Sequence, residues 1–363
     1  MGTFSFSNGH EAQTTTDGII PLGSLESPSK TGPDVQIIKL PSQGNALINV
    51  FRQCLNCCAC LLFLPVTLLG RFIETVFKIK QKISRQGSNL EGKVVFITGA
   101  SSGLGEALAK CFYQEGCKLI IASRRYSELE RVRDQLMGSG LRKGTVYPPV
   151  IIQIDLQDLT NLSEKVKTIL GVYGYVDILV NNAGISFRGN VVDTTLEVDK
   201  KIMNVNYFGT IGLTKAILPS MIGRRSGHIL MIGSLQAKLA IPFRSAYAAS
   251  KHALQAFSDS LRAEIKQHNV DVTVVNPGYI RTSLSLNALT GRGEKYGQMD
   301  ETTESGEDPL RAAAAIVSAV KNRTEELMLC SLVYRFVVLL RALYPKVFFM
   351  LMARRASKVR KVQ

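Results

Sequence analysis

Six short apolar runs recur along the middle of this 363-residue chain, and amphipathic stretches of helical length separate them. Within each run the apolar residues are consecutive and do not alternate with polar ones, which is typical of parallel strands covered on both faces. The pattern predicts an α/β domain in residues 88–330 with a doubly wound parallel sheet. The runs are residues 93–98, 118–123, 149–155, 176–181, 227–234 and 270–276.

The chain before this domain has two different compositions. Residues 1–45 are rich in Gly, Ser, Thr, Asn and Pro and show no apolar period, so we expect a disordered tail. Residues 46–87 contain 18 consecutive uncharged residues, from Gln53 to Gly70, and then a basic linker. As a helix, such a stretch is about 27 Å long, against roughly 30 Å of hydrocarbon in a bilayer, which predicts a membrane anchor. Pro65 leaves a hairpin or an in-plane helix open, and a buried helix of the folded domain is a further alternative.

Residues 331–363 are apolar and basic, and their sequence contains no Asp or Glu. Pro345 divides the apolar stretch Leu332–Met352 into two short amphipathic pieces, which we expect to lie in a membrane interface. A core helix followed by a solvated tail is the alternative. The last four residues resemble a retrieval signal of the endoplasmic reticulum, and the basic residues after Gly70 predict a cytosolic location for residues 71–363.

The formal net charge is +15, and most of it belongs to the flanks. Residues 46–90 contribute +5 and residues 331–363 contribute +8, whereas residues 91–330 contribute only +4. A nucleic-acid-binding domain concentrates basic charge on its folded body, so we expect a membrane, and no nucleic acid, as partner. Four of the seven cysteines lie in the uncharged stretch, which favours membrane-packed or palmitoylated thiols over a metal site.

A glycine-rich turn, TGASSGLG at residues 98–105, follows the first apolar run. Gly99 permits a tight turn, Gly103 lets the backbone approach a pyrophosphate, and Gly105 allows a helix to pack closely on a strand. Because the turn stands between a predicted strand and a predicted helix, it predicts a dinucleotide site.

Ser123, Arg124 and Arg125 stand about twenty residues further on, where NAD-binding folds carry a carboxylate for the ribose. Two guanidinium groups suit a 2′-phosphate better, so NADP(H) is predicted over NAD(H), with a solvated helix entry as the alternative. Asp155 ends the third run and is a candidate acceptor for the adenine amino group. It is equally a candidate N-cap for a helix that starts at Leu156.

Tyr247 and Lys251 stand four residues apart in a predicted helix and therefore share one face. A tyrosine, with an ordinary pKa of about 10, is a poor acid or base near neutrality unless a cation stabilises its phenolate. The ammonium group of Lys251, one turn away, can do so. Ser234 ends the fifth run, at the sheet edge where ligands bind in such folds, so we expect Ser234 and Tyr247 to contact a substrate.

With these motifs in order, residues 91–330 resemble the short-chain dehydrogenase/reductase family, whose fold is Rossmann-like. One departure is Gly233, where many members have a second serine. The matching elements are TGxxxGxG at 98–105, NNAG at 181–184, Asn206 in VNYFG, Ser234 thirteen residues before Tyr247, the pair Tyr247-x-x-x-Lys251, and NPG at 276–278 followed by Thr282.

The resemblance implies a role for each matching residue. Tyr247 is the general acid/base, and Ser234 binds the substrate oxygen. Lys251 binds the nicotinamide ribose and lowers the pKa of Tyr247, while Asn206 holds a water that relays protons to Lys251. The implied cofactor-binding residues are Thr98, Gly99, Ser101, Ser102, Gly103, Leu104, Gly105, Ser123, Arg124, Arg125, Asp155, Leu156, Asn182, Ala183, Gly184, Tyr247, Lys251, Pro277, Gly278, Ile280 and Thr282.

The stretches YGYVDILVNNAGISFRG and IPFRSAYAASKHALQAF, with the apolar ends, resemble a membrane-anchored subgroup of the family. This implies an NADP(H)-dependent oxidoreductase for CH–OH groups or carbonyls of lipids, retinoids or steroids, and a homodimer that pairs through the helices of Asn206 and Tyr247. A catalytically idle NADP-binding scaffold or redox sensor is the alternative. The polar residues 283–309 predict a mobile substrate lid, with a disordered surface excursion as the alternative.

Overall fold

A computed structural model of the protein describes residues 88–140 and 147–360. The expected tail, residues 1–45, and the expected anchor and linker, residues 46–87, lie outside the described residues. Within the two described ranges, no helix is both long and apolar enough to cross a membrane. The described part comprises the predicted oxidoreductase domain and most of the C-terminal segment.

The strands are β1 (Val94–Thr98), β2 (Lys118–Ser123), β3 (Val150–Gln153), β4 (Ile178–Asn181), β5 (Gly227–Ile232), β6 (Val270–Pro277) and β7 (Glu326–Leu329). They form one sheet in the order β3-β2-β1-β4-β5-β6-β7, and every neighbouring pair is parallel. Each predicted run coincides with one strand, to within a few residues at its ends, so the predicted parallel sheet is confirmed. The seventh strand, β7, was not predicted.

The α-helices are α1 (Gly103–Gln114), α2 (Tyr126–Gly138), α3 (Leu162–Tyr173), α4 (Leu196–Met203), α5 (Thr210–Gly223), α6 (Ser245–Ile265), α7 (Glu301–Glu304), α8 (Pro309–Lys321), α9 (Leu332–Leu343) and α10 (Pro345–Arg360). Asp308 fixes the start of α8, because its side chain accepts hydrogen bonds from the backbone N–H groups of Leu310 and Arg311. Helix α9 ends at Leu343 and α10 starts at Pro345, a residue that suits the first turn of a helix.

The core has two layers, one on each face of the sheet. Val95 and Ile97 of β1 pack with α1, α2 and α8, whereas Val94 and Phe96 pack with α3, α5 and α6. Successive strand residues point to opposite faces, so a strand buried on both sides must be apolar at every position. This explains why the runs in the sequence are continuous.

Strands β1 to β3 form one half of the sheet, and after β3 the chain returns to the middle and forms the other half from β4 onward. The strand order therefore reverses between β1 and β4, which lie side by side. In open α/β sheets, ligands bind outside the carboxyl ends of the strands at such a switch point. Between α4 and α5 the helical backbone widens into one π-helical turn, Asn204–Gly209. Turns of this kind are frequent at functional sites, and this one carries Asn206.

Candidate active site

A cavity of about 600 Å³ opens at the carboxyl edge of the sheet. It is lined by Ser234, Tyr247, Lys251 and all the predicted cofactor-binding residues. Asn206 is fully buried directly behind Gly184, one of the residues that line the cavity. The structure therefore brings together residues that the sequence spreads over nearly two hundred positions.

The glycine-rich turn forms the floor of one half of the cavity. Gly99 and Gly103 have φ angles of +67° and +58°, in the left-handed region that favours glycine. A Cβ atom on Gly105 would lie 2.2 Å from the carbonyl oxygen of Gly99, so only glycine lets α1 start this close to β1. The turn thus leaves a cradle at a helix N-terminus, which fits a pyrophosphate.

Arg125 extends across this turn from the end of β2. Its guanidinium donates hydrogen bonds of 3.0 Å to the hydroxyl oxygens of Ser101 and of Ser102. The hydroxyl oxygen of Ser123 accepts from the backbone N–H of Arg125 at 3.1 Å, which fixes the direction of the chain here. Arg124 and Arg125 are both exposed, so a cationic rim borders the cradle.

Asp155 lines the cavity, but it does not cap a helix that starts at Leu156. That expectation is wrong, because α3 begins only at Leu162. The carboxylate of Asp155 instead accepts a hydrogen bond of 3.0 Å from the backbone N–H of Gln157, which closes a local turn. This hydrogen bond holds one carboxylate oxygen in the loop, and Asp155 still lines the cavity.

Residues 182–184 are tied to the glycine-rich turn through Thr98. The hydroxyl oxygen of Thr98 accepts from the backbone N–H groups of Asn182 and of Ala183, both at 3.1 Å. The side chain of Asn182 donates back to the carbonyl oxygen of Thr98 at 2.9 Å. The two loops that follow β1 and β4 therefore form one hydrogen-bonded unit.

The side chain of Asn206 connects the loop after β4 to helix α6. Its amide oxygen accepts from the backbone N–H of Ile185 at 2.8 Å, and its amide nitrogen donates to the carbonyl oxygen of Ile185 at 2.9 Å. The same nitrogen donates to the hydroxyl oxygen of Ser250 at 3.0 Å. Asn206 therefore braces the site, and the water relay implied for it stays a prediction.

Ser234, Tyr247 and Lys251 are buried on one wall of the cavity. Burial raises the pKa of Tyr247, while a hydrogen bond with Ser234 and the charges of Arg188 and Arg244 act in the opposite direction. The ammonium group of Lys251 donates to the carbonyl oxygen of Ile232 at 2.9 Å and lies 5.8 Å from the centre of the Tyr247 ring.

Burial lowers the pKa of Lys251 to about 8. Lys251 is thus held near Tyr247, but the cations that counteract the effect of burial on the pKa of Tyr247 are Arg188 and Arg244. The lowering of the tyrosine pKa implied for Lys251 stays a prediction.

Gly233, the departure from the family pattern, lies directly against Asn276. A Cβ atom at this position would lie 2.3 Å from the side-chain oxygen of Asn276. That oxygen accepts from the backbone N–H of Ser234 at 3.1 Å. In this chain Asn276 occupies the space that a serine at position 233 would need, and it fixes the backbone of Ser234 directly.

Sequence reasoning missed a cluster of Arg188, Arg244 and Asp300 beside Tyr247. Arg188 and Arg244 both donate to the same carboxylate oxygen of Asp300, Arg188 through two nitrogens. Burial alone would raise the pKa of Asp300, but the hydrogen bond and charge of Arg188, the charge of Arg244 and a bond from Ser285 outweigh it and hold that pKa below its ordinary value.

Burial and the nearby charge of Arg188 lower the pKa of Arg244 to about 10. The available signal in the sequence was position: Arg188 follows the NNAG motif by four residues, and Arg244 precedes Tyr247 by three. Both arginines line the cavity, so the side of the cavity next to Tyr247 carries positive charge.

The expected lid, residues 283–309, packs over the loop that follows β4. The backbone N–H of Arg188 donates to the carbonyl oxygen of Leu289, and that of Leu289 donates to Ser186. Leu284 and Ser285 of the segment line the cavity, and Asp300 ties it to the arginines. The segment covers one side of the site, and its mobility stays a prediction.

Comparison with known proteins agrees with this arrangement. The family model for short chain dehydrogenase matches residues 93–292. Dehydrogenase/reductase SDR family protein 7-like of Anopheles gambiae is 50% identical over 298 residues, which are 82% of this chain and 93% of that protein. Dehydrogenase/reductase SDR family member 7B of Xenopus tropicalis is 47% identical over 299 residues, which are 82% of this chain and 96% of that protein.

Two solved structures share the architecture. An alcohol dehydrogenase from the archaeon Thermococcus sibiricus, complexed with 5-hydroxy-NADP, is 27% identical with a TM-score of 0.57, over 67% of this chain and 97% of that one. A short-chain dehydrogenase/reductase from Burkholderia phymatum in complex with NAD is 22% identical with a TM-score of 0.63, over 72% and 96%, which shows the fold alone. The family model matches more than half of this chain, and the Xenopus relative matches 82% of it. The chain therefore belongs to the short-chain dehydrogenase/reductase family of oxidoreductases, in the subgroup of member 7B.

Proposed function

We propose that this protein is an NADP(H)-dependent oxidoreductase that transfers hydride between nicotinamide and a lipophilic carbonyl or alcohol. The observation that carries the proposal is that Ser234, Tyr247 and Lys251 share one cavity with the glycine-rich turn. Membership of an oxidoreductase family supports the reaction class, and the NADP-analogue complex of the Thermococcus relative supports a nicotinamide cofactor.

The residues of the chain itself handle the proton. A bound nicotinamide supplies or accepts the hydride. Tyr247 donates its hydroxyl proton to the oxygen of a carbonyl substrate, or accepts the proton of an alcohol in the reverse direction. Burial raises the pKa of Tyr247 and so makes it a weaker acid, which means that proton donation depends on the groups that stabilise its phenolate, namely Ser234 and the charges of Arg188 and Arg244.

Ser234 is oriented to act on the same substrate oxygen. Its own oxygen accepts from the backbone N–H of Gln236 at 3.1 Å, and its hydroxyl group also hydrogen-bonds with Tyr247. A serine held in this way stabilises negative charge that develops on the substrate oxygen. Lys251 adds positive charge deeper in the same wall.

The preference for NADP(H) rests on Arg125 and Arg124. The guanidinium of Arg125 already bridges two hydroxyl groups at the glycine-rich turn. A 2′-phosphate at the exposed rim would receive charge-assisted hydrogen bonds from it. The acid that would select NAD(H) has been replaced by Ser123 and the two arginines.

The preference for lipophilic substrates, in the lipid, retinoid or steroid class, rests on the far wall of the cavity. That wall is formed by Leu239, Ile241, Leu284, Val337 and Met352.

We also propose a membrane location at the endoplasmic reticulum with a cytosolic domain, from the uncharged stretch and its flanking charges. The family resemblance supports the further proposal of a homodimer.

The test compares the full-length protein with Tyr247→Phe. The panel is long-chain aldehydes, keto-lipids, retinal and ketosteroids with NADPH or NADH. We expect Tyr247→Phe to bind NADPH as the wild type does and to lose about 10²- to 10⁴-fold in turnover, the usual contribution of an acid/base group. Tyr175→Phe, at an exposed tyrosine near the opposite sheet edge, is the matched control.

Two outcomes would reject the proposal. Turnover that survives in Tyr247→Phe would remove this residue from the mechanism. Tight NADPH binding by the wild type, without turnover of any panel member, would favour the catalytically idle scaffold or redox sensor.

A further inference from the structure

Helix α9 presents a continuous apolar stripe to solvent. Leu332, Phe336, Leu339 and Leu343 follow one another at spacings of four, three and four residues, which places them on one face of the helix. Their exposed fractions are 80%, 63%, 48% and 68%. A stripe of this kind ordinarily packs against another element, and here it faces outward.

Exposed apolar surface is concentrated in this part of the described chain. Among residues 88–140 and 147–360, twenty large apolar or aromatic side chains are exposed, and ten of them lie between Leu332 and Leu351. In α10 they are Val347, Phe349, Met350 and Leu351. Single exposed apolar residues are normal on a protein surface, but a cluster of this size indicates a binding surface.

The charge of the same surface points to an anionic lipid bilayer as the occupant. From Ser331 to Arg360 the sequence contains seven Lys or Arg residues and no acid. The guanidinium of Arg341 lies 5.0 Å from the centre of the Phe349 ring, so cationic and aromatic groups are interleaved. Helices that lie in a membrane interface combine an apolar face with basic residues that reach anionic headgroups.

The inner side of the same helix pair faces the active-site cavity. Tyr334, Val337, Met352 and Arg355 line the cavity. Phe348, only 2% exposed, packs in one cluster with Leu235 and Leu239, and Leu235 directly follows Ser234. One pair of helices therefore has the cavity on its inner side and the apolar surface on its outer side.

We propose that the outer face of α9 and α10, defined by Leu332, Phe336, Leu339, Leu343 and Phe349, docks on an anionic bilayer and brings the cavity mouth to the lipid. Docking itself does not depend on the proposed function. The consequence for catalysis, entry of substrate from the bilayer, rests on the proposed lipophilic substrate.

The test exploits the absence of tryptophan from the sequence. Phe336→Trp in the full-length protein introduces a single tryptophan on the stripe, and Tyr175→Trp introduces one near the opposite sheet edge as the control. Each is reconstituted into vesicles of phosphatidylcholine, with or without phosphatidylserine, whose acyl chains are brominated or unlabelled. Bromine on the acyl chains quenches only tryptophan that reaches them.

We expect brominated vesicles with phosphatidylserine to reduce the emission of Phe336→Trp about twofold or more, because an interfacial helix buries its apolar face about 5–10 Å into the boundary region. Tyr175→Trp should be unaffected. Absence of quenching would overturn the proposal. Two other results would also overturn it. Tryptophan emission that changes with protein density in the vesicles would indicate that a second copy covers this face. Shielding from an aqueous quencher at every density, without acyl-chain quenching, would indicate that another segment of the chain covers it.

A second measurement connects docking to catalysis. The double substitution Phe336→Ser and Leu339→Ser alters outward side chains that do not line the cavity. We expect KM for a long-chain substrate embedded in vesicles to rise about tenfold or more, from the lost burial of two large apolar groups, with kcat/KM for a short water-soluble carbonyl unchanged. An equal loss for both substrates would reject entry from the bilayer. A wild type that turns over neither substrate would reject the proposed function, while the quenching result would still decide docking.

Discussion

The two halves of the cavity are built from different material. The cofactor half consists mainly of backbone from short local motifs, the turn at 98–105 and the loop at 182–184, joined through Thr98. The half next to Tyr247, which we propose binds the substrate and call the substrate half, consists of side chains from distant segments, since Arg188 and Arg244 stand 112 and 56 residues from Asp300. Backbone geometry leaves little freedom for substitution, whereas a side-chain cluster can change without disturbing the fold. This difference predicts where mutations abolish cofactor binding and where they alter only substrate handling.

The largest effect should come from Gly105→Ala in the cofactor half. The added Cβ would lie 2.2 Å from the Gly99 carbonyl oxygen, which is backbone and cannot move aside. We expect a loss of about 3 kcal/mol or more in the free energy of unfolding, at or above the usual cost of overpacking, together with loss of NADPH binding.

Urea denaturation and NADPH titration measure these two effects. The control is Gly171→Ala, an exposed position inside α3 where a Cβ would meet no described atom within 4 Å. It should stabilise the protein by about 0.5–1 kcal/mol. Wild-type NADPH affinity in Gly105→Ala would contradict the close approach of α1 to β1.

A smaller effect is expected from Arg125→Ser at the rim of the same half. Loss of charge-assisted bonds to a 2′-phosphate should weaken NADPH binding by about 10- to 100-fold and leave NADH binding unchanged. Arg133→Ser, an arginine of α2 that pairs with Asp134, is the control and should change neither. Equal weakening of both cofactors would show that Arg125 supports the turn and does not select the cofactor.

The smallest effect should come from Asp300→Asn in the substrate half. The variant should lose about 1–2 kcal/mol of unfolding free energy at pH 7, from weaker bonds to Arg188 and Arg244, and should raise KM for the substrate without changing NADPH affinity. The pKa of Asp300 is lower in the folded protein than its ordinary value, so its ionisation stabilises the fold above about pH 4 and that contribution is lost as pH falls through the folded pKa.

Unfolding curves from pH 7 to pH 3 should therefore show the difference between wild type and Asp300→Asn shrinking as the pH falls. Asp193→Asn, at an exposed loop carboxylate, is the control. A difference that stays constant over this range would mean that the charge of Asp300 contributes no stability.

The sequence was most informative where structure is local. The six apolar runs and the turn at 98–105 each carry their signal in a few consecutive residues, and each lies where predicted. Strand β7 was not predicted because it begins with the charged Glu326 and lies at the edge of the sheet, so none of its residues is fully buried. The cluster around Asp300 was not predicted because Arg188, Arg244 and Asp300 are far apart in the sequence and come into contact only in the folded protein.

The π-helical turn at Asn204–Gly209 makes the site sensitive to chain length as well as to residue identity. Such a turn holds more residues than an α-helical one, so deletion of a single residue, even the exposed Phe208, would let the segment relax into a regular α-helix. Because the wider turn is what holds the extra residue, α5 would keep nearly the same orientation, whereas the backbone that carries Asn206 would lose the geometry from which its side chain reaches Ile185 and Ser250. Insertions and deletions here should be far less tolerated than substitutions at the same exposed positions.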